Sequence, residues 1–249
     1  MLPIFIINLE KSVERKKIIQ QQFSHLATEI PFEFFNAIYG KENPDFYLFK
    51  KYNESERIKR KGNQMNLAQL GCFASHYLLW EKCLELNQPI IILEDDAILH
   101  DNFIEAYDFL SDKENIFEFL WLSPPAPARR GQQGKKLYQI NAKELSVFKF
   151  YKCWGNTTGY YITPAAAKKL LNYCQEWIYD LDITIERYWA NDLACLALIP
   201  ACLEPDLSLE SNIPVDKGKQ QRTVAIRLRR EFYALKDKCL KFIYDTIKG

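Results

Sequence analysis

PIIILEDDAIL, residues 89–99, runs four aliphatic side chains directly into Glu94, Asp95 and Asp96. A run that is apolar on both sides of the pleat reads as a central strand covered by helices on both faces. In an open α/β sheet, ligands bind beyond the carboxyl ends of the strands, and the three carboxylates stand at such an end. Their mutual repulsion has to be offset by a cation or by partial protonation. Oxygen donors of this kind suit a hard divalent metal. On a continued strand Glu94 and Asp96 point to one side and Asp95 to the other. Glu94 or Asp95, together with Asp96, then offers two oxygens to a metal, and a diphosphate completes the coordination. The plainer reading is surface charge and helix capping around Asp101 and Asn102.

Outward from this strand, helical and extended patterns alternate. Residues 3–9 form a short apolar run that suits a buried strand. Ser12 stands where a helix cap belongs, ahead of a helix to about residue 25 with Val13, Ile18, Ile19 and Phe23 on its apolar side. Residues 32–38 read as a second strand, so the chain opens as a strand–helix–strand crossover. Residues 41–63 are charged and aromatic with weak periodicity, and read as a surface excursion with room for a helical part. Residues 66–86 read as a helix: Asn66 caps it and Gln69 stands at the capping-box position. Gly71 inside it marks a place of close packing. Beyond the carboxylates come a helix over 102–110 and a strand over 118–122. The stretch SPPAPARRGQQGKK, residues 123–136, reads as a loop. Strands follow over 145–151 and 159–162. Thr163 as N-cap and Pro164 at the first helical position start another helix. A helical turn over 182–189 and an apolar run over 193–199, stopped by Pro200, follow.

No internal repeat or linker interrupts this order. It predicts one α/β domain, residues 1–215, with a mixed, Rossmann-like sheet and helices on both faces, then a basic segment, 216–249. Within residues 222–249, eight Lys or Arg oppose three Asp or Glu. Ala225, Leu228, Phe232, Leu235, Cys239, Phe242 and Ile243 recur at three- and four-residue steps, which predicts a basic amphipathic helix. Two placements stand for it: packed on the body, or lying on the anionic cytoplasmic face of the inner membrane. Lys217, Lys219 and Arg222 precede it, either as a basic segment that closes over a diphosphate or as solvated surface.

The formal net charge of +1 and a hydrophobic fraction of 48% are ordinary for a globular chain. That balance argues against a general nucleic-acid binder. The 7 cysteines are irregularly spaced with no CxxC pair, which reads as reduced, mostly buried thiols. The apolar start is too short for a signal peptide or a membrane span, so a cytoplasmic location is expected. HExxH, the phosphate-loop motif, GxGxxG and GxSxG are all missing from the sequence, which leaves the corresponding peptidase, nucleotide-loop, dinucleotide and hydrolase readings without support. Three histidines, His25, His76 and His100, make a polyhistidine zinc site a poor fit.

Four segments together bring a family into view: FIINLEKSVERKK (5–17), LAQLGCFASHYLLWEKCLE (67–85), IILEDDAIL (91–99), and WGNTTGYYITPAAAKKLL (154–171) with YDLDITIERYW (179–189). In order and spacing the chain resembles glycosyltransferase family 25, the bacterial lipooligosaccharide galactosyltransferases and their relatives, over about residues 3–210. The resemblance implies a GT-A type fold. It also implies inverting transfer of a hexose, most often galactose from UDP-galactose, to a glycolipid acceptor. Glu94-Asp95-Asp96 matches the family's metal motif, with Mn²⁺ or Mg²⁺ implied on Glu94 and Asp96, and Asp95 beside the donor. Asn8, Arg15, Ser75, His76, Thr157, Thr158 and Gly159 fall where the family meets the sugar nucleotide. For several of these a local role stands beside the binding role. Arg15 pairs with phosphate or is a solvated helix residue, His76 is a ligand-site or a structural histidine, and the threonines meet the donor or satisfy their own turn. Gly159 is placed for close approach of backbone to sugar. The general base that inversion needs is Asp182 or Asp180, with Asp182 preferred. Two rivals remain: a carbohydrate-binding or assembly protein that kept the fold without turnover, and a metal-dependent phosphoryl hydrolase. The latter needs a second carboxylate cluster, and the sequence offers no convincing one.

Overall fold

The computed structural model describes residues 1–140, 145–152, 154–209 and 224–248. The elements run β1 (Ile4–Asn8), α1 (Val13–Ser24), β2 (Glu33–Asn36), α2 (Glu54–Lys61), α3 (Leu67–Leu86), β3 (Ile90–Glu94), β4 (Ala97–Leu99), α4 (Phe103–Ser111), β5 (Phe119–Trp121), β6 (Lys135–Gln139), β7 (Ser146–Lys149), β8 (Gly159–Ile162), α5 (Pro164–Tyr173), α6 (Leu181–Glu186), α7 (Tyr188–Asn191), β9 (Leu196–Ile199), β10 (Leu203–Pro205) and α8 (Val224–Lys248). Single 3₁₀ turns lie at Tyr47–Lys51 and Pro127–Arg129. Among the described residues one mixed sheet has the order β2-β1-β3-β8-β5-β9-β7-β6, and β4 pairs with β10 as a separate ribbon.

β1 runs parallel to both β2 and β3, β8 lies antiparallel between β3 and β5, and β9 is parallel to β5. The run at 90–93 is apolar throughout because both faces of β3 are covered. Ile90 and Ile92 join a core built with Phe73, Trp80 and Trp177, while Ile91 and Leu93 join a second core with Ile19, Phe23 and Phe103. Helices therefore cover both faces, as a mixed Rossmann-like sheet requires. This is the arrangement expected of a GT-A type fold.

Local signals are met in detail at α3. The Gln69 backbone N–H donates to the Asn66 side chain at 2.9 Å, and the Asn66 N–H donates to the Gln69 side chain at 2.8 Å. Thr163 caps α5 through a hydrogen bond from the Ala166 N–H. Ser12 holds the cap position of α1, but its side chain makes no cap bond. The excursion at 41–63 is helical in part, as α2, and the correction to its surface reading is Arg57, which is only 2% exposed. Its charged surface hid the buried cation from a periodicity argument. The loop at 123–136 gives way to β6 at Lys135, because an exposed edge strand has no apolar face to display. The turn at 182–189 is two short helices that break at Arg187. The domain boundary at 215 and the basic positions Lys217, Lys219 and Arg222 lie outside the described residues.

Gly71 is the point of closest packing in α3. A Cβ built there would stand 2.3 Å from the Ile38 carbonyl oxygen and 2.9 Å from the Gly40 nitrogen, both backbone atoms. Backbone cannot rotate away as a side chain can, so α3 or the segment after β2 has to move. Gly71→Ala is expected to lower stability by about 2 kcal/mol despite alanine's better helix propensity. Urea unfolding checks this; an unchanged midpoint would refute it.

α8 does pack on the body, but through its polar side. Asp237 takes a bidentate ion pair from Arg187 at 2.6 Å, Asp245 accepts from the Tyr188 hydroxyl at 2.9 Å, and the Tyr244 hydroxyl donates to Asp192 at 2.9 Å. Lys241 donates to the Tyr151 carbonyl. The apolar stripe predicted from spacing faces outward.

Candidate active site at the carboxyl ends of the central strands

β3 ends at Glu94, and the chain turns at once through Asp95 and Asp96 into β4. Strand alternation therefore does not continue through the carboxylates, and each takes a separate environment. Because β8 is antiparallel to β3, its start lies beside the end of β3. The Glu94 N–H donates to the Thr158 carbonyl at 2.8 Å, and the Thr157 hydroxyl donates to Glu94 Oε1 at 2.6 Å. His76 approaches the same oxygen at 3.5 Å through Nε2. Burial pushes the Glu94 carboxyl up, but His76, the Thr157 hydroxyl and Arg15 outweigh it and hold the group below its ordinary value.

The His76 ring is oriented from behind. Nδ1 lies 2.8 Å from the Tyr160 hydroxyl, which also accepts from the Trp80 indole N–H at 2.9 Å. Burial holds Tyr160 far above its ordinary pKa, so its proton stays, and His76 Nδ1 is the acceptor within reach. That assigns the remaining imidazole proton to Nε2, pointing at Glu94. Cys72 Sγ, His76 Nε2 and a Glu94 oxygen lie within 4.8 Å of one another. Yet this tautomer makes Nε2 a donor, and burial followed by the charge of Glu94 keeps Cys72 a thiol. His76 thus faces Glu94 through Nε2, with the Cys72 thiol beside it.

Asp95 is fully engaged within the protein. Asn8 donates to Oδ2 at 2.7 Å and Arg15 to Oδ1 at 3.0 Å. Arg15 thus spends a strong bidentate-capable group on Asp95, and Asn8 also ties the end of β1 to the Ser12 carbonyl at 3.2 Å. Asp96 is the opposite case. Its Oδ1 is buried without a hydrogen-bond partner, and burial, then the charges of Glu94 and Asp95, push its carboxyl up to about 7. An unpartnered carboxylate oxygen beside an ionised Glu94 is a donor that suits a hard cation. The residues present therefore fit a divalent metal on Glu94 and Asp96.

The threonine turn is held by residues that spacing alone did not single out. Glu186, buried in α6, accepts the Trp154 N–H at 2.8 Å and the Gly155 N–H at 2.9 Å. Asn156 accepts from the Thr158 N–H at 2.9 Å and from its hydroxyl at 2.6 Å. Thr158 therefore satisfies its own turn, while Thr157 serves Glu94. Gly159 has a packing reason: a Cβ there would meet Leu93 and Leu203 side-chain atoms at 2.8 Å.

In front of Glu94 opens a cleft of about 1530 Å³ whose walls include Lys61, Cys72, Thr157, Asp182 and Arg230. A smaller cavity of about 130 Å³ behind it is lined by Arg15, Ile38, Tyr39, Ser75, His76 and Asp96. Both share Ala68, Cys72 and Glu94. Ser75 is structural in its bonds: its hydroxyl donates to the Gly71 carbonyl and accepts from the Ile38 N–H, both at 2.8 Å.

The two candidate bases separate cleanly. Asp180 accepts from Arg57 through both oxygens, at 2.9 and 3.3 Å, and from the Gln69 amide at 2.9 Å. The capping box of α3 and the buried Arg57 thus fix Asp180 in place. Asp182 takes only the Ile183 N–H, at 2.8 Å, among the bonds described. Burial, followed by repulsion from Glu186 and Asp180, pushes its carboxyl up to about 6. Lys61, beside it, is held below its ordinary value by burial and by Arg57. Arg57, Lys61, Glu186 and Asn156 were beyond sequence reasoning; the one usable signal was the NESERIKRK helix pattern, and it reads as solvated.

The model of the family described as "Glycosyltransferase family 25 (LPS biosynthesis protein)" matches residues 1–185. The "Glycosyltransferase 25 family member" of Anopheles gambiae is 31% identical over 175 residues, 68% of this chain and 28% of the relative. The "Lipooligosaccharide biosynthesis protein lex-1" of Haemophilus influenzae is 28% identical over 219 residues, 76% of this chain and 69% of the relative. The "Procollagen galactosyltransferase 1-B" of Xenopus laevis is 27% identical over 179 residues, 68% of this chain and 28% of the relative. The chain spans less than a third of the length of the mosquito relatives it matches.

Proposed function

The chain belongs to glycosyltransferase family 25, and from that premise we propose that it transfers galactose, with inversion, from UDP-galactose to a lipooligosaccharide acceptor. The observation that carries the reading is the single cleft shared by Glu94 and Asp182. One end offers Glu94, which together with Asp96 of the adjoining cavity suits a cation, and the other a carboxylate poised to take a proton. Likeness to the lipooligosaccharide biosynthesis protein of Haemophilus and to the procollagen galactosyltransferase of Xenopus supports the acceptor and the sugar.

Glu94 and Asp96 would hold Mn²⁺ or Mg²⁺, which supplies charge neutralisation for the departing diphosphate. The chain's own residues do the rest. Thr157 and His76 fix Glu94, and Arg15 with Asn8 fixes Asp95, so that the turn is rigid before the donor arrives. The smaller cavity takes the nucleotide, and Lys61 and Arg230 face the diphosphate from the cleft wall. Asp182 accepts the proton as the acceptor hydroxyl oxygen bonds to the anomeric carbon and the bond from that carbon to the diphosphate oxygen breaks. Its raised pKa makes it a better base than an exposed aspartate while leaving it ionised at neutral pH. Asp180 positions the α6 start rather than reacting. The reading puts the reaction in the cytoplasm, where free thiols such as those of the described cysteines persist. No helix described is long and apolar enough to cross a membrane.

The test is a donor panel. Purified protein is offered UDP-galactose, UDP-glucose, UDP-N-acetylglucosamine and CMP-sialic acid, with Mn²⁺ and with EDTA, while nucleotide release and calorimetric binding are followed. Metal-dependent use of UDP-galactose is expected. Folded protein that binds none of the four would move the assignment to a non-catalytic carbohydrate-binding role.

A further inference from the structure

The outward face of α8 is unlike any other surface described. Val224, Leu228, Phe232, Leu235 and Phe242 are 61–73% exposed. At about 100° per residue they fall within an arc of roughly 80°. The opposite side of the helix carries Asp237, Lys241 and Tyr244, which bind the body. The helix is thus anchored by its polar face, and its apolar face stays exposed among the described residues. Basic residues border the stripe on both edges: Arg227 and Lys238 on one, with Glu231 between them, and Arg229 and Lys236 on the other.

We infer that α8 is a membrane-surface helix that lays this stripe into the headgroup–acyl boundary of an anionic bilayer. An apolar stripe flanked by Lys and Arg is the pattern of helices that lie in a lipid interface. The basic edges meet anionic headgroups, each contributing attraction within a Debye length of the surface. The helix lies on the bilayer rather than crossing it, since it is not apolar enough to span. A second copy of this chain is the competing occupant, because Leu228, Phe232, Leu235, Cys239 and Phe242 keep the 4-3 spacing of a coiled-coil seam. Charge decides against it: mostly basic edges on two such seams would face each other without opposite charges to pair.

Placement gives the inference its consequence. Arg230, on α8, lines the cleft that holds Glu94 and Asp182. Arg230 lies on the side of α8 opposite the stripe, so docking α8 on a bilayer holds the cleft about one helix diameter, 10–12 Å, from the lipid surface, which favours an acceptor held in that surface over a free oligosaccharide. This last step rests on the transferase reading above; lipid binding itself does not.

The experiment uses the full chain and sucrose-loaded vesicles of phosphatidylcholine alone or with about one third phosphatidylglycerol. Cosedimentation at low salt is expected with the anionic vesicles and at least tenfold less with neutral ones, and raised salt should weaken it. The double variant Phe232→Ser/Phe242→Ser changes exposed positions only, so the fold and turnover on a water-soluble acceptor should persist. Its partitioning onto anionic vesicles should fall at least tenfold. Partitioning that is missing in the parent, or unchanged in the variant, would overturn the inference. So would a concentration-dependent dimer in analytical ultracentrifugation that the double variant abolishes while vesicle binding is absent. Vesicle binding without sugar transfer would leave the inference standing and remove the transferase reading.

Discussion

Asp182→Asn is expected to cut turnover at neutral pH by about 10²–10⁴-fold, the usual worth of a positioned general base. The amide keeps the shape of the carboxylate and its bond from the Ile183 N–H, so substrate affinity should change little and the loss should fall on kcat. The pH profile sharpens the expectation. Asp182 works as a base only when ionised, and its carboxyl is pushed up to about 6, first by burial. Turnover should therefore rise with pH through that value and lose about tenfold per unit below it, until other groups intervene. The groups that set this value, Glu186, Asp180 and Lys61, are held by the protein, so the limb belongs to the free enzyme and appears in kcat/KM. In the variant the limb should vanish.

Stability separates this loss from misfolding. A carboxyl whose folded pKa lies above its unfolded value binds protons more tightly in the native state. Ionised Asp182 therefore costs stability as pH rises from about 4 to above 6. Removing its charge should leave the neutral-pH melting temperature equal to or higher than that of the parent, so an inactive but stable protein is expected. A variant retaining more than a tenth of parental kcat, with the same pH limb, would remove Asp182 from the role. Asp180→Asn provides the contrast. It leaves the buried Arg57 with a weakened partner, so it should lower stability first, and turnover only through the position of α6.

Asp96→Asn should have the second largest effect, and it reads the cation directly. The parent holds Glu94, kept below its ordinary pKa, beside Asp96, whose buried Oδ1 has no hydrogen-bond partner and whose carboxyl is pushed up to about 7. Binding of Mn²⁺ to the native state raises stability by RT ln(1 + [M]/Kd), about 2.7 kcal/mol at one hundred times Kd. The parent should accordingly melt higher in Mn²⁺ than in EDTA. The asparagine variant should lose most of that increment and melt higher than the parent in EDTA, because a like charge has been removed. Metal-dependent turnover should fall by about a hundredfold, near the cost of losing several kcal/mol of charge stabilisation. Equal Mn²⁺ increments in parent and variant would show that Asp96 is not a ligand.

Much of this site was legible from the residues. The apolar run at 90–93 announced a strand covered on both faces, and the acidic turn after it announced three carboxylates gathered at the end of that strand. Gln69, three residues after Asn66, announced the start of α3. These features are local: each depends on periodicity, on one turn, or on a side chain reaching its own backbone. The stripe on α8 was equally visible, since helical spacing alone places Leu228, Phe232 and Leu235 together.

What the tertiary structure decided is which charged group meets which. Asp180 and Asp182 are two residues apart and chemically alike. Both line the cleft, but only the arrival of Arg57 from α2, more than a hundred residues earlier, makes one an ion-paired structural anion and leaves the other with a single backbone donor among the bonds described. Likewise Asp95 and Asp96 are neighbours in sequence, yet Arg15 and Asn8 reach one and not the other. Glu186 holds the threonine turn from across the fold. Even α8 follows this rule: spacing defined its apolar face, but Arg187 and Tyr188, by binding Asp237 and Asp245, determined that this face points outward. Hydrophobic periodicity survives in a single chain because burial is averaged over a whole element, whereas ion pairing depends on a few ångströms between residues that only folding brings together.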